Sequence, residues 1–177
     1  MIHKKELREI FWNLIWQVAL AVGFMTLVLL VLGYFAQSPI IWAVGAGALA
    51  ASSFLVFAAP KSPVSRSSHI IWGYAIGMCT GLFLHYALTQ LYGILLQHES
   101  MFMHDKNIFW IAASLALGLS IILMVIFDKT HPPAVGMSIV LVLDIRHYFI
   151  IFVLFGCAVI LALLRYGLRH HLKNLVT

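Results

Sequence analysis

The sequence predicts an all-α membrane protein of about six transmembrane segments. Three observations carry that prediction. Of the 177 residues, 63% are hydrophobic and only 10% are charged. The apolar residues fall in six blocks, and the polar residues gather between them. A soluble domain keeps about a quarter of its residues charged, whereas a helix crossing a ~30 Å hydrocarbon layer takes about 20 apolar residues. The net charge of +5 comes from Lys and Arg spread over short loops and the ends. That pattern sets topology and gives no reason to expect nucleic acid as a partner. One transmembrane domain over 1–177 accounts for the whole chain.

The first block, 14–35, follows Lys4, Lys5 and Arg8. It is too long for a signal-peptide core, and no small-residue cleavage site follows, so it reads as a retained span. Leu7, Ile10, Phe11 and Leu14 precede or open it at helical spacing. They fit either a short interfacial helix or the same helix continuing outward. The second block, 40–59, carries Gly45, Ala48 and Ser52 on one face. The third, 70–96, is long enough to tilt or project and carries Gly73, Gly77 and Gly81. The fourth, 108–127, carries Ser114 and Gly118. Small residues at such spacing let helices approach closely. Packing within the chain is the first expectation for these faces, and a homo-oligomer through them is the second. The fifth block, 134–143, is a half-length helix of about 15 Å, and the sixth is 148–164.

Charge bias bears on whether the fifth block crosses. If all six cross, nine of the 11 Lys and Arg residues lie on one side, leaving only Lys106 and Arg146 opposite. Re-entry of the fifth block would weaken that bias. The positive-inside rule therefore predicts six crossings with both termini cytoplasmic, in a bacterial inner membrane.

The main polar interruption is Asp128-Lys129-Thr130-His131-Pro132-Pro133, between the fourth and fifth blocks. Ionisable residues beside a Pro-Pro break are costly to keep in a membrane and mark a functional candidate. Proline is suited to the first turn of a helix, and Thr130 is a candidate cap. The N–H groups of Ala134, Val135 and Gly136 would then face the break, where a helix N-terminus attracts anions. Gly136 leaves room for a close approach. A short fifth helix ending near Asp144 would begin near mid-membrane. His131 has three readings: an anion donor, a proton carrier, or a satisfied structural group. Asp128 and Lys129 read as intramembrane polar residues or as an interfacial ion pair.

A second polar loop, Lys61 to His69, is basic and rich in hydroxyls, with Ser67 or Ser68 able to cap the third span. Lys61, Ser62 and Arg66 suit an anion or a lipid phosphate, and equally suit a plain cytoplasmic loop. Phe57 to Pro63 and Phe127 to Pro133 both place a proline six residues after a phenylalanine, hinting at an internal repeat. His85 lies mid-span, where an interhelical hydrogen bond is expected ahead of a proton relay. Cys79 and Cys157 sit in apolar blocks and show no metal spacing. No paired carboxylates, nucleophile constellation or phosphate loop is readable. Catalysis, a metal and a cofactor are therefore not expected.

His131-Pro132-Pro133-Ala134, straight after a span, resembles the motif that names the HPP family of integral membrane proteins. Lys61-Ser62-Pro63, leading into Gly73 and Gly77, resembles that family's Ser-Pro loop. The two motifs together cover about residues 40–165 in the family's order. The chain departs from the family's Ala-Gly-Ala at Ala134-Val135-Gly136-Met137, and from its Gly-Gly-His at Trp72-Gly73-Tyr74. The family is usually described with four spans, against five and a half here. Some plastid and cyanobacterial members are associated with nitrite transport. The resemblance implies a transporter or channel for a small inorganic anion, nitrite being the named candidate. Thr130, His131, Pro132, Pro133 and Gly136 would form the site, with Lys61, Ser62 and Arg66 on its approach. The expected partners are that anion and membrane lipid. The alternatives are a non-transporting scaffold or assembly protein, or a membrane enzyme acting on lipid.

Overall fold

The computed structural model describes residues 4–36, 38–96, 106–144 and 148–176, with side chains omitted at 4–8, 10, 92–96 and 106–107. The loop at 97–105 lies outside the described residues, as does Arg146, which the charge count used. Among the described residues six α-helices carry the fold: α1 (Lys4–Phe35), α2 (Pro39–Phe57), α3 (Ser67–Leu96), α4 (Lys106–Ile126), α5 (Pro132–Leu143) and α6 (Phe149–Leu168). A single 3-10 turn, Pro63–Ser65, joins α2 to α3. Five helices are long and apolar enough to cross a membrane, and α5 is the short apolar one.

The short helix is the hub. It packs against α2, α3 and α4, and Ala134, Met137, Val140, Leu141 and Val142 on it are buried. Its partner face on α3 is the glycine ridge. An added methyl on Gly73 would come within 2.5 Å of His131 Cβ, on Gly77 closer still to the Ala134 carbonyl oxygen, and on Gly81 within 2.7 Å of the Ser138 carbonyl oxygen. The ridge is therefore spent inside the chain, since only glycine admits backbone this close. Gly45 on α2 is likewise taken, its missing Cβ filled by Leu154 of α6. Packing within the chain, the first expectation for such faces, is what the Gly45 and Gly73–Gly81 faces show. Gly118 on α4 has nothing within 4 Å.

The bundle has two ends. At one, Ser38 caps α2 through the N–H groups of Ile40 and Ile41 and donates its hydroxyl to Asp144, just past α5. Phe35 and Phe149 meet there with ring centroids 5.3 Å apart. At the other, the α2–α3 loop meets the 128–131 break and the segment after α6. Thus α5 starts at one end and finishes at the other, and the chain traverses the bundle six times. The start of α1 and the end of α6 lie at the same end.

Helix lengths check this register. α2 rises about 28 Å. α5 rises about 18 Å, and its N-terminus lies about 8 Å in from the loop end, measured by Ser52, five residues before the end of α2. The two lengths nearly close. The start of α5, at Pro132, is thus about a third of the way along α2.

The two ends of the chain take the following form. α1 is one continuous helix from Lys4, with no separate interfacial piece. Gln17, not Leu14, is level with the end of α2, because its buried amide donates to the Phe57 carbonyl. The sixth helix runs four residues past the apolar block, to Leu168. Beyond it the chain folds back. Leu172 is buried, Lys173 exchanges backbone hydrogen bonds with the Gln17 amide at 2.9 Å each, and Leu175 N–H donates to Ala58 O at 2.9 Å.

Candidate functional site

The site is built where the two polar loops meet. α4 ends in a left-handed cap: Asp128 has φ 50°, its N–H donates to Val125 O at 3.1 Å, and Lys129 N–H donates to Met124 O at 2.8 Å. This is the paired bonding of a Schellman motif, which asks for Gly, Asn or Asp at that position. Asp128 is exposed and Lys129 half-buried. Asp128 therefore terminates a helix, a role the sequence reading did not assign it.

The chain then turns inward. Thr130 is not the cap of α5; its carbonyl takes a hydrogen bond from His69 Nδ1 at 3.1 Å. His131 is the N-cap residue, with φ −144° and ψ 86° and no side-chain cap bond. Its carbonyl accepts from Ala134 N–H at 3.0 Å. Pro132 and Pro133 bring no N–H. Gly136 faces α2, with Val44 at an ordinary 3.8 Å from an added methyl. Ser67 does not cap α3 either; its hydroxyl donates to Ala162 O on α6 at 2.8 Å.

His131 is fully buried, and both ring nitrogens are engaged. Nδ1 is 2.8 Å from Val64 O, and Nε2 is 2.9 Å from Ser52 Oγ. Tyr74 Oη is 3.0 Å from the same Ser52 oxygen, and its ring lies 5.7 Å from the imidazole, centroid to centroid. The chemistry of the partners fixes the protons. A carbonyl only accepts, so Nδ1 carries hydrogen and donates to Val64. In a neutral ring Nε2 then accepts, from Ser52, while Tyr74 donates to Ser52. In an imidazolium Nε2 donates to Ser52, whose hydrogen turns to Ala48 O, 2.9 Å away. Either protonation state leaves every group satisfied.

The structure thus brings His131 together with the loop that holds Lys61, Ser62 and Arg66, but through the Val64 carbonyl. Lys61 and Arg66 are exposed at the loop end, and Ser62 is half-buried before the 3-10 turn. The two proline loops lie side by side, as a repeat would have them. Their backbones differ, since Ala58 after α2 is right-handed where Asp128 after α4 is left-handed. His85 donates or accepts at neither loop: its Nδ1 is 3.0 Å from Val142 O, one of the end carbonyls α5 leaves unpaired. That is the interhelical bond expected of it.

Ser52, Tyr74, His69 and Val64 were not picked out as site residues in the sequence. Nor was the hydroxyl pair Thr80 and Ser120, which joins α3 to α4 in the buried interior. Tyr74 shares a helix face with Gly77 at i, i+3, which is the one signal that could have found it. A groove of about 400 Å³ runs beside the break between α4 and α5, lined by Ile121, Met124, Val125, Thr130, His131, Pro132 and Val135. It is apolar, as a lipid-facing groove would be. Among the described residues no group of His, Cys, Asp or Glu is arranged to hold a metal.

Comparison with known proteins agrees with this architecture. The family described as "HPP, transmembrane region" matches residues 2–168. A transmembrane protein of Dictyostelium discoideum is 28% identical over 111 residues, which is 60% of this chain and 34% of that protein. The chain therefore spans about a third of that relative's length. No solved structure matches. With its motif residues at the start of a buried central helix and nearly its whole length matched, the chain belongs to the HPP transmembrane family.

Proposed function

We propose that the protein passes a small inorganic anion across the membrane, with nitrite as the first candidate, and that the His131 cluster is its gate. One observation carries the reading: a histidine wholly buried about 8 Å inside the bundle, hydrogen-bonded to Ser52 and Val64 at the start of a broken helix. Intramembrane polar groups at a discontinuous helix are expensive, and transporters use them to hold substrate. In this reading the packed arrangement is the closed state. Opening parts the Val64 loop from His131, and the imidazole, protonated, offers its donors to the anion while Ser52 turns to Ala48. The protein's own residues supply the rest: Lys61, Arg66 and Lys129 give the loop end a positive potential, and the positive-inside rule puts that end in the cytoplasm of a bacterial cell.

A second reading, a non-transporting scaffold, is favoured by the same closed packing of His131. Uptake of nitrite by proteoliposomes separates the two. The transport reading expects uptake above empty liposomes and its loss in His131→Ala. No uptake of nitrite or any other small anion leaves the scaffold.

A further inference from the structure

Three arginines meet at the loop end with no counter-charge among the described residues. Arg165, in the last turn of α6, donates from Nη2 to Pro60 O at 2.9 Å. Its Nε is buried and has no hydrogen-bond partner. Arg66 and Arg169 are its electrostatic neighbours, and no carboxylate is among them. The Ser67–Ala162 hydrogen bond holds the start of α3, with Arg66 just before it, against α6. Arg169 lies one turn beyond Arg165, its guanidinium 4.7 Å from the centre of the Tyr166 ring. Among the described residues no acid pairs with any of the three. Asp144, one of the few acids, is at the opposite end, bonded to Ser38.

A buried N–H left unpaired costs free energy, and like charges held together cost more. Both costs are removed by one species, an anion with several acceptor oxygens. Guanidinium groups present planar forked donors suited to such an oxyanion. We infer that Arg165, with Arg66 and Arg169, forms an oxyanion-binding site at the loop end of the bundle. Its place as a station on the way to His131 rests on the transport reading; the binding itself does not. The oxyanion has two sources, a free inorganic ion or the phosphate of an acidic lipid headgroup.

The test uses the full chain in nanodiscs, with the thermal unfolding midpoint as readout. In purely zwitterionic lipid, nitrite or inorganic phosphate is titrated against chloride at constant ionic strength. In parallel, phosphatidylglycerol replaces part of the lipid. A midpoint raised by the inorganic ions identifies a free anion, and one raised only by phosphatidylglycerol identifies the headgroup. In either case the site expects binding to weaken about tenfold or more in Arg165→Gln, the worth of a charged hydrogen bond. Because Arg165 also holds Pro60, Arg66→Gln and Arg169→Gln are made as well; both residues are exposed, and each is expected to weaken binding in a folded protein. No rise from either source, or a rise unchanged in all three variants, overturns the site. Binding without nitrite flux would sink transport and leave the site standing. Flux that ignores all three arginines, with no binding, would do the reverse.

Discussion

Ser52 has one proton to give and two acceptors within reach, His131 Nε2 at 2.9 Å and Ala48 O at 2.9 Å. That makes it the residue through which the imidazole can change its protonation without stranding a buried group. Ser52→Ala removes the shared partner of His131 and Tyr74 and is expected to destabilise the fold by about 1–3 kcal/mol, the cost of orphaned buried polar groups. Thermal unfolding in detergent checks this, and an unshifted midpoint would show that water takes the hydroxyl's place. Asp128 offers a second test. Its left-handed backbone predicts that Asp128→Val costs about 1–2 kcal/mol, while Asp128→Gly is neutral or stabilising. Equal effects of the two changes would contradict the cap. His131 itself was legible in the sequence, because a histidine beside Pro-Pro in an apolar stretch stands out. Its partners were not, because a serine on α2 and a carbonyl in the next loop meet it only once the helix register is fixed.

At the scale of elements, the α3–α5 contact holds the structure together, and glycine makes it possible. Gly77→Ala would set a methyl against the Ala134 carbonyl, which cannot move without displacing α5. The expected loss is about 1–3 kcal/mol. Gly118→Ala, with nothing within 4 Å, serves as the control and is expected to leave the melting midpoint unchanged. Equal sensitivity at the two positions would mean that α5 does not sit on the ridge. The apolar blocks placed every helix to within a few residues, except that α1 begins ten residues earlier and α6 ends four later. Hydropathy reports the slab a helix crosses, so it is blind to polar turns that continue the helix beyond it. It was equally silent on which helix lies at the centre. A short apolar helix has the same composition whether it is the hub or an edge, and only the neighbours' small residues hint at the answer.

Across the whole molecule, six traverses leave the start of α1, the α2–α3 loop, the break and the segment after α6 at one end. Cysteines placed singly at Lys61 and Lys173, with Cys79 and Cys157 removed, are expected to react with an impermeant reagent from the same side, and one at Tyr148 from the other. Labelling of Lys61 and Lys173 from opposite sides would overturn the six-traverse fold. The charge asymmetry read from the sequence anticipated this arrangement, because topology follows Lys and Arg in short loops. The gate itself requires that a polar cluster closed in this form can open. Nitrite uptake into proteoliposomes, wild type beside His131→Ala at matched protein content, tests that claim most directly. Uptake above empty liposomes is expected for the wild type, with its loss in the variant. Equal uptake by the two proteins would remove His131 from the path, and no uptake by either would remove nitrite.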